Sequence, residues 1–282
     1  MADSRQNSTL SSEIERMTKL SNEEIFSELH RVGVDINEDV FRKVAGKHHS
    51  INSVARCWEA NRGTSPALLT AATVALWDRL CTELFCWEDL ASLMRKGIED
   101  VRSGNHMQAI DKWLNAWRSL RKFAVEQSVR DISVFDVQVM ENVLPMDLFS
   151  WVQDVEMELT NQVDEFPQLA QALLDYTTSF RDTFPSSATP ILLNMRSAQS
   201  VALFVLGDTE AADVICEELC NAYPDDAWTF IDWGDEYSPR YHRNPALVDV
   251  QKARQIYERG LATATEDVET LRERIAALAT EA

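Results

Sequence analysis

Asp154, Glu156 and Glu158 stand together in the phrase WVQDVEMELTN, residues 151–161. Three carboxylates so close could serve as general acid and base, hold a metal, or capture a cation electrostatically. The first two chemistries need further partners. A di-metal site in a helical bundle uses Glu-x-x-His on facing helices, and none of the five histidines stands three residues after a Glu. The chain also contains no G-x-S-x-G, H-E-x-x-H or G-x-x-x-x-G-K pattern to supply a nucleophile, a zinc site or a phosphate cradle. Read as a helix, the segment places Leu148, Trp151, Val152, Val155 and Leu159 on one apolar stripe. Asp154 and Glu158 then share a flank beside Trp151, and Glu156 lies on the other. Like charges four apart repel by about 0.2–0.5 kcal/mol, so the pair has no local stabilising purpose. The reading that follows is a binding face, with the acids receiving Lys or Arg and Trp151 giving apolar contact.

Two later phrases extend this face. DDAWTFIDWGDEY offers Trp228, Trp233, Asp235 and Glu236, and SPRYHRNP brackets Arg240, Tyr241, His242 and Arg243 between Pro239 and Pro245. Arg and Tyr are frequent interface anchors, and the two phrases together form a rim of mixed sign suited to protein contact. Other reactive side chains read as structural. Cys216 and Cys220 share a helix face without further ligands at metal-binding spacing. Trp113 and Trp117, four apart, read as core, and His48-His49 as a solvated doublet. Arg118, Arg121 and Lys122 are a basic cluster that offsets nearby carboxylates. No metal or cofactor is implied.

The charge distribution supports a basic partner. The formal net charge is −19, yet residues 1–130 hold 18 basic and 18 acidic side chains, and residues 240–282 hold seven of each. Between Asp131 and Pro239 there are 21 acids and only Arg181 and Arg196 to oppose them. Such a field attracts basic surfaces and repels nucleic acid phosphates, which argues against direct nucleic acid binding. The sequence has no apolar run of membrane-spanning length and no basic-then-apolar leader, so a cytoplasmic chain without membrane contact is expected. Five scattered cysteines fit reduced, mostly buried thiols.

With only eight glycines and eight prolines among residues rich in Ala, Leu, Glu and Arg, the composition predicts an all-α fold. Residues 1–20 read as a flexible terminus. Residues 21–85 read as a helical subdomain, with a capping box at Ser21, a glycine stop at Gly33, short helices to Gly46 and from Ser50 to Asn61, and a long helix from Ser65-Pro66 through Leu84. From residue 86 onward a spacing recurs. Gly104 is followed by Ala109, Trp113 and Ala116; Gly207 by Ala212, Cys216, Leu219 and Pro224. Gly234 and Tyr237 are followed by Ala253, Tyr257 and Gly260 with seven extra residues between. The intervening stretch 144–185 fits another helix pair, closed by Pro185 but lacking the small-residue signature.

This spacing resembles the tetratricopeptide repeat, which implies antiparallel helix pairs stacked into a right-handed solenoid across 86–282. The Trp-rich phrases KWLNAWRSL, FSWVQDVEMEL and DDAWTFIDWGDEY resemble, in that order, a family of poorly characterised prokaryotic helical-repeat proteins, some of which carry a SEC-C zinc motif. No cysteine follows Cys220, so the zinc motif is not carried over. Function is accordingly expected to be recognition without catalysis: a scaffold whose acidic, Trp-containing groove binds a basic protein segment. The alternative is an acidic inhibitor or nucleic-acid mimic acting on a basic enzyme or transcription factor.

Overall fold

The computed structural model describes residues 2–58, 65–139 and 143–280. Among them are fifteen α-helices and no named strand. Two compact units divide the chain, Met1–Arg95 with Met140–Pro145, and Lys96–Val139 with Met146–Ala282. The division falls inside one helix rather than after residue 85.

In the first unit, α5 (Pro66–Leu80) is the centre. Its sequence is apolar on every side, as a helix enclosed by others must be, and Leu69, Ala72, Ala75, Leu76 and Trp77 are all buried. Around it pack α1 (Ala2–Met17), α2 (Asn22–Arg31), α3 (Glu38–His48) and α4 (Ile51–Arg56). The helix α1 replaces the expected flexible terminus, because Leu10, Ile14 and Met17 give it an apolar side that joins this core. The Ser21 capping box is present, with the Glu24 amide donating to Ser21 Oγ at 3.2 Å and the Ser21 amide to Glu24 Oε2 at 2.7 Å. Gly33 adopts the left-handed conformation, φ +86°, required of a helix stop. Gly46, by contrast, lies inside α3, and His49 takes the left-handed cap position. The helix expected from Ser50 to Asn61 ends at Arg56, and residues 59–64 lie outside those described.

The helix α6 (Trp87–Arg102) runs through the division. The second unit continues with α7 (His106–Glu126), the short α8 (Ser133–Val139), α9 (Leu148–Gln162), α10 (Ala170–Thr183), α11 (Thr189–Leu206), α12 (Thr209–Ala222), α13 (Ala227–Asp235), α14 (Val250–Thr263) and α15 (Val268–Thr280). Neighbours in sequence pack as pairs, α9 on α10, α11 on α12 and α13 on α14. Successive pairs also meet: α10 and α9 both touch α11, α12 touches α13, and α14 touches α15. Gly104 and Gly207, at φ +76° and +83°, make the turns that follow α6 and α11.

Close approach within the pairs depends on missing side chains. A methyl group at Gly97 would overlap the Trp113 ring, and one at Gly234 would overlap the Tyr257 ring. A methyl at Gly260 would come within 2.7 Å of Phe230 Cβ. The Gly97–Trp113 spacing is sixteen residues. The Gly234–Tyr257 spacing is larger by the seven-residue insertion, which is closed at its base where the Asp249 amide donates to the Tyr237 carbonyl at 2.9 Å. Ser200 and Cys216, also sixteen apart and both buried, hold the equivalent places in α11 and α12, a slightly larger residue facing a smaller one. Overfilling such a contact costs about 1–3 kcal/mol. Gly234→Ala should therefore lower the urea-unfolding stability of the full chain by that amount. In Gly46→Ala nothing lies within 4 Å and the helix gains about 0.5–1 kcal/mol; equal effects of the two substitutions would rule out ring-on-backbone packing in the α13–α14 pair.

Candidate functional site

The central acids do not form an unopposed strip. Arg243 pairs with Glu236 and, at 3.1 Å, with Asp164; Lys252 pairs with Asp213 at 2.5 Å, Arg259 with Glu217 at 2.6 Å and Arg274 with Asp235 at 2.9 Å. Five acids of the acidic block thus receive a cation from the balanced C-terminal segment. Others cap helices: Asp147 serves α9, Asp208 serves α12, and Asp226 serves α13. Asp136 accepts from the amides of Leu148 and Phe149 at 2.6 and 3.2 Å.

Trp151, expected at a binding face, is fully enclosed, and its indole N–H finds no acceptor among the described residues. It lies on the apolar stripe with Leu148, Val152 and Val155, and that stripe is core. Glu158 is likewise buried, with Oε1 held by His106 Nδ1 at 2.6 Å. The pair Asp154 and Glu158 is therefore not a surface pair. Asp154 is half-buried, and burial followed by the nearby Asp147 charge raises its pKa.

A different set of acids comes together. A cavity of about 300 Å³ is lined by Glu156 and Thr160 from α9, Asn194, Ser197 and Ser200 from α11, and Asp232, Asp235 and Glu236 from α13 and its C-cap, with Tyr241 and Arg243 from the insertion. Asp232, Asp235 and Glu236 are at i, i+3 and i+4, so one face of α13 presents all three. Asp235 is fixed, accepting from Tyr257 Oη at 2.6 Å and from Arg274 Nε. Glu236 is only 2% exposed; Arg243 takes Oε1, and Oε2 is enclosed with no donor among the described residues. Glu156 has its pKa raised by burial, with a smaller opposing effect from the Thr160 hydroxyl. Asp232 is solvent-accessible but sits in a concave wall, where surrounding protein and then the Asp235 charge push its carboxyl up to about 6.

A second hollow of about 230 Å³ shares Asn194, Ser197, Ser200 and Asp232 with the first and continues to Leu219, Tyr223, Trp228 and Trp233. Trp228 is 46% exposed, its indole donating to Asp267 at 2.9 Å. Trp233 is buried and donates to Asp213 at 2.7 Å. The insertion is folded against this end. His242 Nδ1 lies 2.8 Å from the Ser238 carbonyl, and the Tyr241 ring is flanked by the Arg274 and Arg240 guanidinium groups at 3.7 and 5.5 Å. The structure thus brings Trp228, Trp233, Asp235, Glu236, Tyr241 and Arg243 to one region and places Trp151 and Glu158 in the interior. Glu156 and Asp232, not singled out from sequence, belong to the cavity; the i, i+3, i+4 run of acids in IDWGDE was the signal for Asp232.

Among the described residues no group of three or more His, Cys, Asp or Glu side chains is arranged to hold a metal ion, and no helix is long and apolar enough to cross a membrane. All five cysteines are unpaired; burial pushes Cys216 and Cys220 up to about 12 and about 11, so neither is a nucleophilic thiolate at neutral pH.

The raised carboxyl of Asp232 has a consequence for stability. The folded chain holds its proton more tightly than the unfolded chain, so ionisation opposes folding as pH rises through about 6. Asp232→Asn removes that opposition. The variant should gain stability relative to the parent at pH 7.5 and lose that gain by about pH 4, as read by thermal unfolding at each pH; a difference independent of pH would contradict the assignment. Compared with known proteins, the chain matches no family model, no curated protein and no solved structure.

Proposed function

We propose that the second unit is a tetratricopeptide-like, right-handed solenoid, and that the protein is a non-catalytic cytoplasmic adaptor holding a basic protein segment along α9, α11 and α13. These are the first helices of three successive pairs, and the two adjoining hollows draw on all three. First helices that share one surface are what a stack of helix pairs produces. The observation that carries the reading is Glu236, a carboxylate buried at the cavity wall with one oxygen lacking a donor. Leaving such an acceptor unpaired costs about 1–3 kcal/mol or more, and an incoming cation removes that penalty.

The charges left free after internal pairing are local, and this favours a short basic segment over an extended surface. Four carboxylates line the cavity, opposed by Arg243 within it and by Arg274 on Asp235. The adjoining hollow, with half-exposed Trp228 above Leu219 and Tyr223, offers apolar contact beside the charge. Nucleic-acid mimicry needs a longer unopposed carboxylate array, and five ion pairs to the C-terminal segment subtract from it.

Dye-labelled peptide pools of matched length, one Lys/Arg-rich and one Asp/Glu-rich, test the reading by fluorescence anisotropy. The basic pool should bind. Its affinity should fall about tenfold or more when salt is raised from about 0.05 to 0.5 M, since screening shortens to a few ångströms. Asp232→Lys should weaken binding by a similar factor, and Asp175→Lys on α10, which lines neither hollow, should not. Equal binding of the two pools would refute the adaptor reading.

A further inference from the structure

We propose that the cavity at the end of α13 is a subsite for a primary alkylammonium group, the end of a lysine side chain or of a free aliphatic amine, in preference to a guanidinium. The inference rests on the adaptor reading only in its lysine form. Its basis is the number and placement of acceptors that remain once the chain's own cations are seated.

An arginine fork is satisfied best by the two oxygens of one carboxylate. Here the chain's own guanidinium groups already sit on the two carboxylates at the end of α13, though neither makes a two-N–H fork. Arg274 Nε lies 2.9 and 3.2 Å from the two oxygens of Asp235, and Arg243 holds Glu236 Oε1. Glu236 therefore has one oxygen without a donor among the described residues, and both oxygens of Asp235 already accept, Oδ1 from Tyr257 as well as Arg274. The remaining acceptors are single groups on three helices. They are Glu236 Oε2 and Asp232 on α13 and its C-cap, Glu156 on α9, and the hydroxyls of Ser197 and Ser200 on α11. Glu156 Oε1 already accepts from Thr160 at 2.8 Å and keeps its second oxygen.

Acceptors spread over three helices suit the diverging donors of an ammonium, whereas a planar fork would engage Asp232 alone. A cavity of about 300 Å³ also has room for the four-carbon stem, with Ala198, Val201 and Phe204 in its lining to cover the methylenes. Arg243 also lines the cavity with its side chain 31% exposed, so its guanidinium has room to turn toward solvent as the ammonium reaches Glu236 Oε2.

The test uses the full chain labelled with nitrogen-15 and three probes, N-acetyl-lysinamide, N-acetyl-argininamide and n-butylammonium. Lysinamide and butylammonium should shift the amides of residues 232–237 and 243 saturably, with a Kd of about 1 mM. Argininamide should bind at least about threefold more weakly. Glu236→Gln should cost the lysine probe about tenfold, the equivalent of one charged hydrogen bond. Glu156→Gln, on another helix, should act in the same direction and serves if the first variant misfolds. Argininamide binding as tightly as lysinamide, or shifts unchanged in both variants, would overturn the inference. If basic peptides bind but no alkylammonium probe does, the subsite falls and the adaptor reading stands. If the small amines bind and no basic peptide does, the adaptor reading falls and the site belongs to a free amine.

Discussion

The Tyr257 ring lying on the bare backbone of Gly234 sets the position of everything that follows it in α13. Because no side chain intervenes, α14 comes close enough for Tyr257 Oη to reach Asp235, the next residue along. Asp235 in turn anchors Arg274 from α15, and Glu236 is left buried at the cavity wall. A single missing Cβ therefore connects helix packing to electrostatics. Phe230 against Gly260 makes a like contact four residues earlier on α13 and three later on α14, so the pair is fixed at two points.

The acidic composition of the central segment has a structural explanation that is separate from its functional one. Carboxylates at Asp147, Asp208 and Asp226 supply the acceptors that helix N-termini require. Those at Asp213, Glu217, Asp235 and Glu236 tie α12 and α13 to the C-terminal helices and the insertion. Among the others are a few whose environments oppose their ionisation, Asp154, Glu156 and Asp232, together with one oxygen of Glu236 that has no donor among the described residues. Electrostatic energy is concentrated where charge is both enclosed and unpaired, so Glu156 and the free oxygen of Glu236 outweigh the many solvated groups.

Local chemistry was legible in the sequence, and long-range pairing was not. The Ser21 capping box, the Gly33 stop and the Ser65-Pro66 helix start depend on residues within four positions, and each is found. The apolar stripe of α9 was read correctly as a stripe, but a Trp within it cannot also face a partner, and Trp151 is enclosed. Glu158 looked free because its partner, His106, is 52 residues away. Close packing of glycine on an aromatic ring is hidden in the sequence for a related reason. Gly104 marks a turn between helices, whereas Gly234 lies inside a helix at a contact with the next one, and Gly97 is the glycine that meets an aromatic ring in the same way. In the α9–α10 pair, Ala172, Tyr176 and Ser179 follow the small, aromatic, small spacing once Ser is counted by size rather than polarity.

The claim that the unpaired carboxylates of α13 receive the partner's cation is tested most directly by following the side-chain carboxyl resonances of Asp232 and Glu236 through a pH titration, with and without a bound basic peptide. A cation seated among them lowers the Asp232 midpoint from about 6 and moves the Glu236 resonance at neutral pH. Both titrations superimposing on those of the free protein while the peptide stays bound would place recognition elsewhere and contradict the account.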